Sequence, residues 1–179
     1  HILTIDYLKH VSPCLLRPEA GEMHVALSAA QYVRHRIGFV KCSSRLSGGS
    51  FVAQIEIGGG TFQCTVDTGA SSCVSLSRSA AKRVRRCTGD EPRKLRQVGV
   101  NGEEICSDIV AADVDFCGTH FADVPILLND MDLEDVDGYI GLSLLRAFDM
   151  LVTSDELVCR HNGYELRTDL LDAVASAGV

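Results

Sequence analysis

The chain has 179 residues, with 17 Lys plus Arg against 24 Asp plus Glu for a formal charge of −7, and 46% of its residues are hydrophobic. That size and composition suit one domain with an appendage, or two small domains, able to bury a core rather than an intrinsically disordered chain. The acidic balance argues against nucleic acid as the main partner, because neutralising phosphates takes a basic footprint, and no apolar run approaches the roughly 20 residues of a membrane helix.

The sequence opens at His1 with no Met before it, as expected of a processed product or a piece excised from a longer chain. Asp6 and Lys9 interrupt the apolar core a secretory signal would need. Pro18 to Arg36 predicts an amphipathic helix: Pro18 is early, Glu19 and Glu22 fall in the first turn, and Val25, Ala29, Tyr32 and Val33 recur at helical spacing. Ser43 to Ser50, reading SSRLSGGS, predicts a polar, glycine-containing linker.

Beyond that joint the pattern changes to short strands. Phe51, Ala53, Ile55 and Ile57 alternate with Gln54 and Glu56, and Gly58 to Gly60 turn the chain into a second strand, Thr61 to Val66. Cys73 to Leu76 predicts a strand, and Ser77 to Arg86 a short helix capped by Ser77 or Ser79. Leu95 to Val100 and Glu104 to Val114 flank Asn101-Gly102, a strong hairpin signal. Strands follow at Asp115 to Phe121 and Val124 to Leu128, then an acidic loop, Asp130 to Asp137. Gly138 to Leu142 is apolar, Ser143 to Phe148 suits a helical turn or two, and Met150 to Arg167 predicts a last hairpin around His161-Asn162-Gly163. The reading divides the chain into an N-terminal extension with helix and linker (1–47), a mostly β domain (48–168) and a C-terminal tail (169–179).

The eight cysteines contain no C-x-x-C pair, which excludes a zinc ribbon and a thioredoxin-type motif. Their even number could pair, but several sit within apolar alternation, so the expectation is free thiols in a reducing, intracellular and cytoplasmic setting over a secreted disulfide framework. Cys117-Gly118-Thr119-His120 spans a β turn without a second ligand pair, so no metal and no cofactor is read here. Basic residues from Arg78 to Arg96 and acidic ones from Glu103 to Asp137 read as two solvated faces rather than docking patches.

The chemically informative segment is Thr65-Val66-Asp67-Thr68-Gly69-Ala70-Ser71-Ser72. An apolar strand delivers a carboxylate into a turn whose glycine lets backbone amides approach and hold the charge. Asp-Thr-Gly alone is also an ordinary Asx turn. Here it closes a hairpin, an Asn-Gly hairpin lies about thirty residues downstream, and Tyr139-Ile140-Gly141 precedes a short helix.

In that order these features resemble the retropepsin-like aspartic protease family over roughly Ile37 to Thr168, in its cellular or retrotransposon form. The resemblance implies a mostly β, closed-barrel-type acid protease domain, preceded here by the helical extension. It implies Asp67 as the catalytic aspartate, with Thr68 and Gly69 completing the signature and the Thr hydroxyl locking two signature loops together across a dimer. Ala70 and Ser71 take places that help bind the substrate backbone. Gln97 to Glu103 resembles the flap that closes over substrate, with Gly99, Val100, Asn101 and Gly102 at its tip. Viral members often carry an acid shortly after the signature and an arginine after the apolar-apolar-Gly motif; here those positions are Ser72 and Leu142.

Only one Asp-Thr-Gly or Asp-Ser-Gly exists in the chain, so a second aspartate has to come from another subunit. The expectation is a homodimeric aspartic endopeptidase acting on a peptide or protein substrate, with neither nucleic acid nor membrane as partner. The alternative is a non-catalytic dimerisation or peptide-binding module on the same fold.

Overall fold

The computed structural model describes residues 12–88, 92–98 and 104–166. In chain order its elements are β1 (Cys14–Arg17), β2 (Glu22–His24), α1 (Ala29–His35), β3 (Val40–Lys41), β4 (Ser44–Ser47), β5 (Ser50–Ile57), β6 (Gly60–Val66) and β7 (Val74–Leu76). There follow α2 (Arg78–Thr88), β8 (Arg93–Val98), β9 (Glu104–Phe116), β10 (Thr119–Leu128), β11 (Gly138–Ile140), α3 (Leu142–Leu145), β12 (Phe148–Val152) and β13 (Leu157–His161). Among the described residues no helix is long and apolar enough to cross a membrane.

Eight strands form one sheet in the order β4-β5-β6-β11-β7-β10-β9-β8, and β5 also pairs with β9 through Glu56 with Asp115 and Ile57 with Val114. That extra pairing closes the sheet on itself, giving the mostly β body expected from the alternating segments and the closed, barrel-type form that the family resemblance implies. Phe51, Ala53, Ile55 and Ile57 all point into its core, as their spacing predicts. Phe148 sits at the junction of the core and a second sheet, in edge-on contact with Phe116 and Phe121 at centroid distances of 5.4 and 5.8 Å.

The second sheet has the order β2-β1-β12-β13-β3. Its central hairpin, β12 with β13, is flanked by β1 on one side and β3 on the other. On its outer face Leu15, Leu27, Leu151 and Val158 form a small cluster capped by Tyr32 and Phe39.

The helix expected over Pro18 to Arg36 exists only as α1. Gly21 and Ala26 adopt positive φ, +67° and +51°, which no right-handed helix accommodates. The residues on either side of Gly21 instead form the β1–β2 hairpin, Arg17 opposite Glu22, and β1 also pairs with β12, Cys14 opposite Val152, so long-range pairing overrides the local period. The helix starts where a capping box allows: the Ser28 hydroxyl accepts from the Gln31 amide at 3.3 Å, and the Gln31 side chain accepts from the Ser28 amide at 2.9 Å.

The linker expected at Ser43 to Ser50 is a further correction, since Ser44–Ser47 is strand β4, paired with β5. Gly48 and Gly49, at φ +55° and +88°, make the two-residue turn whose twist suits a hairpin. The strand predicted at Asp115 to Phe121 is split by a turn of the same kind at Cys117-Gly118, φ +47° and +76°.

The last hairpin turns at Thr153 to Glu156 rather than at His161 to Gly163. There the Thr153 hydroxyl accepts from the Glu156 amide at 2.9 Å. Asn162 instead ends β13, its side-chain amide donating to the Arg146 carbonyl at 2.8 Å.

The free-thiol expectation holds for Cys14, Cys64, Cys73 and Cys159, all buried, but Cys42 and Cys117 are joined in a disulfide across 75 residues of sequence. Burial pushes the Cys14 and Cys73 thiols up to about 11, so they pack as apolar groups.

The two charged segments are largely solvent-exposed, as expected, but they are paired with each other rather than separate. Arg78 of α2 pairs with Asp130 at 2.5 Å and Asp132 at 3.3 Å, Arg83 with Asp137 at 2.6 Å, and Arg85 and Lys94 grip the two oxygens of Asp108, each at 2.5 Å. The basic side of α2 is thus docked onto the acidic residues around it.

The hydrogen bond from Lys94 holds the Asp108 carboxyl below its ordinary range, with Arg85 adding to the effect. A carboxylate whose pKa falls on folding adds stability above its unfolded pKa, about 3.9, and loses it as pH drops through the folded value. Asp108→Asn is therefore expected to lower Tm at neutral pH by about 2–4 °C, equivalent to about 1 kcal/mol. Thermal denaturation across pH checks this: the gap between parent and variant closes in acid.

Candidate active site

Strand β6 ends at Val66 and hands the chain directly to Asp67. Alongside it β11 runs parallel, Tyr139 beside Thr65 and Ile140 beside Val66, and the Asp67 amide donates to the Ile140 carbonyl at 2.9 Å. That bond is the last rung of the ladder, so the aspartate is anchored by sheet on its amino side and freed into a loop on the other. The Gly69 amide donates to Asp67 Oδ1 at 2.8 Å, and the Ala70 amide to the Asp67 carbonyl at 3.3 Å. The carboxylate is half-buried, as is Thr68, while Gly69 and Ser71 are exposed. A backbone amide aimed at a presented carboxylate is the arrangement anticipated from Asp-Thr-Gly.

The return arm of the loop rests on the start of α3. Leu142 donates its amide to the Ala70 carbonyl at 2.7 Å, Gly141 to the Cys73 carbonyl at 2.9 Å, and Ser143 to the Ser72 carbonyl at 3.3 Å. The Ser143 hydroxyl donates to the Ser71 carbonyl at 2.6 Å, and the Ser72 and Ser75 hydroxyls lie 2.8 Å apart. Ser72 and Leu142 cannot form the acid–arginine pair of viral members. Backbone amides and one serine hydroxyl do the bracing instead. Sequence reading missed Ser143; a serine two places after Gly141 is a faint signal that only the loop's position makes meaningful.

Two glycines permit this closeness. A Cβ on Gly141 would lie 2.2 Å from the Ser72 carbonyl oxygen, and one on Gly138 would lie 2.0 Å from that of Ser75. Just before them Asp137 is a node: its Oδ2 accepts from the Gln63 amide at 2.8 Å, its Oδ1 from Arg83, and its carbonyl accepts from the Ser77 amide at 2.8 Å. Arg83 also lies over the Phe62 ring at 4.5 Å. This network fixes where β11 enters the sheet, and with it the rung beside Asp67.

The structure therefore brings Asp67, Thr68, Gly69, Ala70 and Ser71 into one loop against Tyr139 to Gly141. The expected flap hairpin is bounded by β8 and β9, paired from Arg93 with Ile109 to Val98 with Glu104. Gly99, Val100, Asn101 and Gly102 lie outside the described residues.

A family model described as aspartyl protease matches residues 53–144, just over half of the chain, from β5 through the Asp67 loop to α3. Among solved structures the chain is similar to a retropepsin-like aspartic protease from Rickettsia conorii, at 21% identity and a TM-score of 0.52, over 68% of this chain and 87% of that one. No curated protein sequence matches. With the closed sheet, the presented aspartate and the matched segment in agreement, this chain belongs to the aspartyl protease family and carries a retropepsin-like fold.

Proposed function

We propose that the chain is an endopeptidase that hydrolyses peptide bonds with a water activated by two Asp67 residues, one from each subunit of a homodimer. The observation that carries this reading is the placement of Asp67: half-buried, at the end of β6, with one oxygen held by the Gly69 amide and the loop braced from behind by α3. One loop supplies one carboxylate, and the reaction needs two, so the symmetric partner provides the other.

Two carboxylates brought close together cannot both ionise readily and share one proton. The ionised member takes a proton from water as it attacks the scissile carbonyl; the protonated member donates to the carbonyl oxygen. Their titration belongs to the pair. Thr68 hydroxyls tie the two loops together, Ala70 and Ser71 bind substrate backbone, and the hairpin tip from Gly99 to Gly102 covers it.

The rate is highest at mildly acidic pH, where one shared proton is present, and falls when both groups ionise. A statine-type mimic of the tetrahedral intermediate binds tighter than substrate. Sedimentation equilibrium combined with peptide cleavage tests the reading: activity per chain falls on dilution as dimers part. A strict monomer that still cleaves peptides overturns it.

A further inference from the structure

Three cysteine sulfurs from distant parts of the chain meet in one place. The Sγ atoms of Cys42, Cys117 and Cys159 all lie within 4.8 Å of one another. Cys42 belongs to the segment joining β3 of the five-stranded sheet to β4 of the eight-stranded one, Cys117 to the β9–β10 turn, and Cys159 to β13. Cys42 and Cys159 are buried and Cys117 is half-buried, so the cluster has one side towards solvent.

A cross-link between Cys42 and Cys117 uses two of these sulfurs and leaves Cys159 unexplained, a free buried thiol whose Sγ is 3.5 Å from Cys42 Sγ. Around a cation with metal–sulfur bonds of about 2.3 Å, neighbouring thiolates sit about 3.8–4.0 Å apart. Cys42 and Cys159 are already close to that spacing, at 3.5 Å, and once the Cys42–Cys117 bond is opened the third sulfur needs only a small movement to reach it. No reading of Cys117 with His120 is needed, because His120 faces Asp115, Nδ1 to Oδ1 at 3.1 Å.

We propose that the reduced cluster is a three-thiolate site for a thiophilic d10 cation of the zinc and cadmium class, with Cys42, Cys117 and Cys159 as ligands. A water on the Cys117 side completes the coordination. Loading has two balanced steps. A dithiol reductant gives two electrons and two protons, breaking the Cys42–Cys117 bond into two thiols and becoming a cyclic disulfide. The divalent cation then displaces three thiol protons, leaving a complex of charge −1. The bound cation clamps β13 of one sheet to the β9–β10 turn of the other and takes no part in the Asp67 chemistry.

The test uses the full chain, reduced with a phosphine, titrated with cadmium and followed by the thiolate-to-cadmium charge-transfer band. One cadmium per chain is expected. Cys42→Ser, Cys117→Ser and Cys159→Ser each weaken binding at least ~100-fold, more than loss of an outer-shell partner typically costs, while Cys73→Ser leaves it unchanged. X-ray absorption on the loaded parent, which does not depend on any variant folding, counts three sulfur neighbours. Two or fewer sulfurs, a Cys159→Ser variant that binds as tightly as the parent, or a Cys42–Cys117 bond that persists under the reductant overturns the site.

Discussion

Peptide cleavage by the Asp67→Asn variant is expected to fall at least ~1,000-fold, the scale at which positioned acid–base groups contribute. The replacement is nearly isosteric, so its side-chain carbonyl can still accept from the Gly69 amide at the place where Asp67 Oδ1 accepts now. The fold survives, with an unchanged circular dichroism spectrum and a Tm within a few degrees of the parent. In the proposed dimer, what disappears is the ability to share a proton between the two subunits. Mixing parent and variant subunits sharpens the measurement, because each hybrid dimer lacks one carboxylate and is silent. Retained turnover in the pure variant removes Asp67 from the mechanism.

Gly141→Ala is expected to be damaging although it adds a single methyl group. The new carbon would sit 2.2 Å from the Ser72 carbonyl oxygen and 2.8 Å from that of Ala70, both backbone atoms of the signature loop. Relief requires the loop to retreat from α3, which lengthens the bonds from Leu142 to Ala70 and from Gly141 to Cys73. Overpacking of this kind costs about 1–3 kcal/mol. A 1 Å displacement of a catalytic group costs about 100-fold in rate. The expected result is a Tm lower by about 2–10 °C and kcat/KM lower by about 100-fold. Ser143→Ala, which gives up one hydrogen bond to Ser71, moves both in the same direction and by less. Unchanged kinetics in Gly141→Ala would show that the loop tolerates being pushed and is not what sets the rate.

The parts of this molecule that could be read in advance are those whose cause is local. Alternation from Phe51 to Ile57 and the glycine turn after it are enough to specify a hairpin, because a period of two has one buried face whatever the strand pairs with. Asp67-Thr68-Gly69 was legible for the same reason: the turn and the acid lie within a few residues. The features that escaped have causes far away in sequence. Leu15 and Cys14 are strand residues because β12 lies beside them, and no window around Pro18 contains that fact. Arg83 looked like one more surface cation until Asp137 was placed against it. Thr153 supplied a turn that the glycine at 163 had seemed to claim, since a hydroxyl that accepts from the amide three residues on leaves a weaker imprint than Asn-Gly.

The β12–β13 hairpin has a practical implication for anyone expressing this protein. Each of its flanks is covered by a strand from far earlier in the chain, β1 against β12 and β3 against β13. A fragment trimmed to begin at residue 48 keeps every residue of the Asp67 loop yet strips both covers, and removes β4 from β5 as well. Bare rows of amide and carbonyl groups recruit other molecules edge to edge. Such a shortened protein would come out of the cell as clumps, and its silence in a cleavage assay would say nothing about its chemistry.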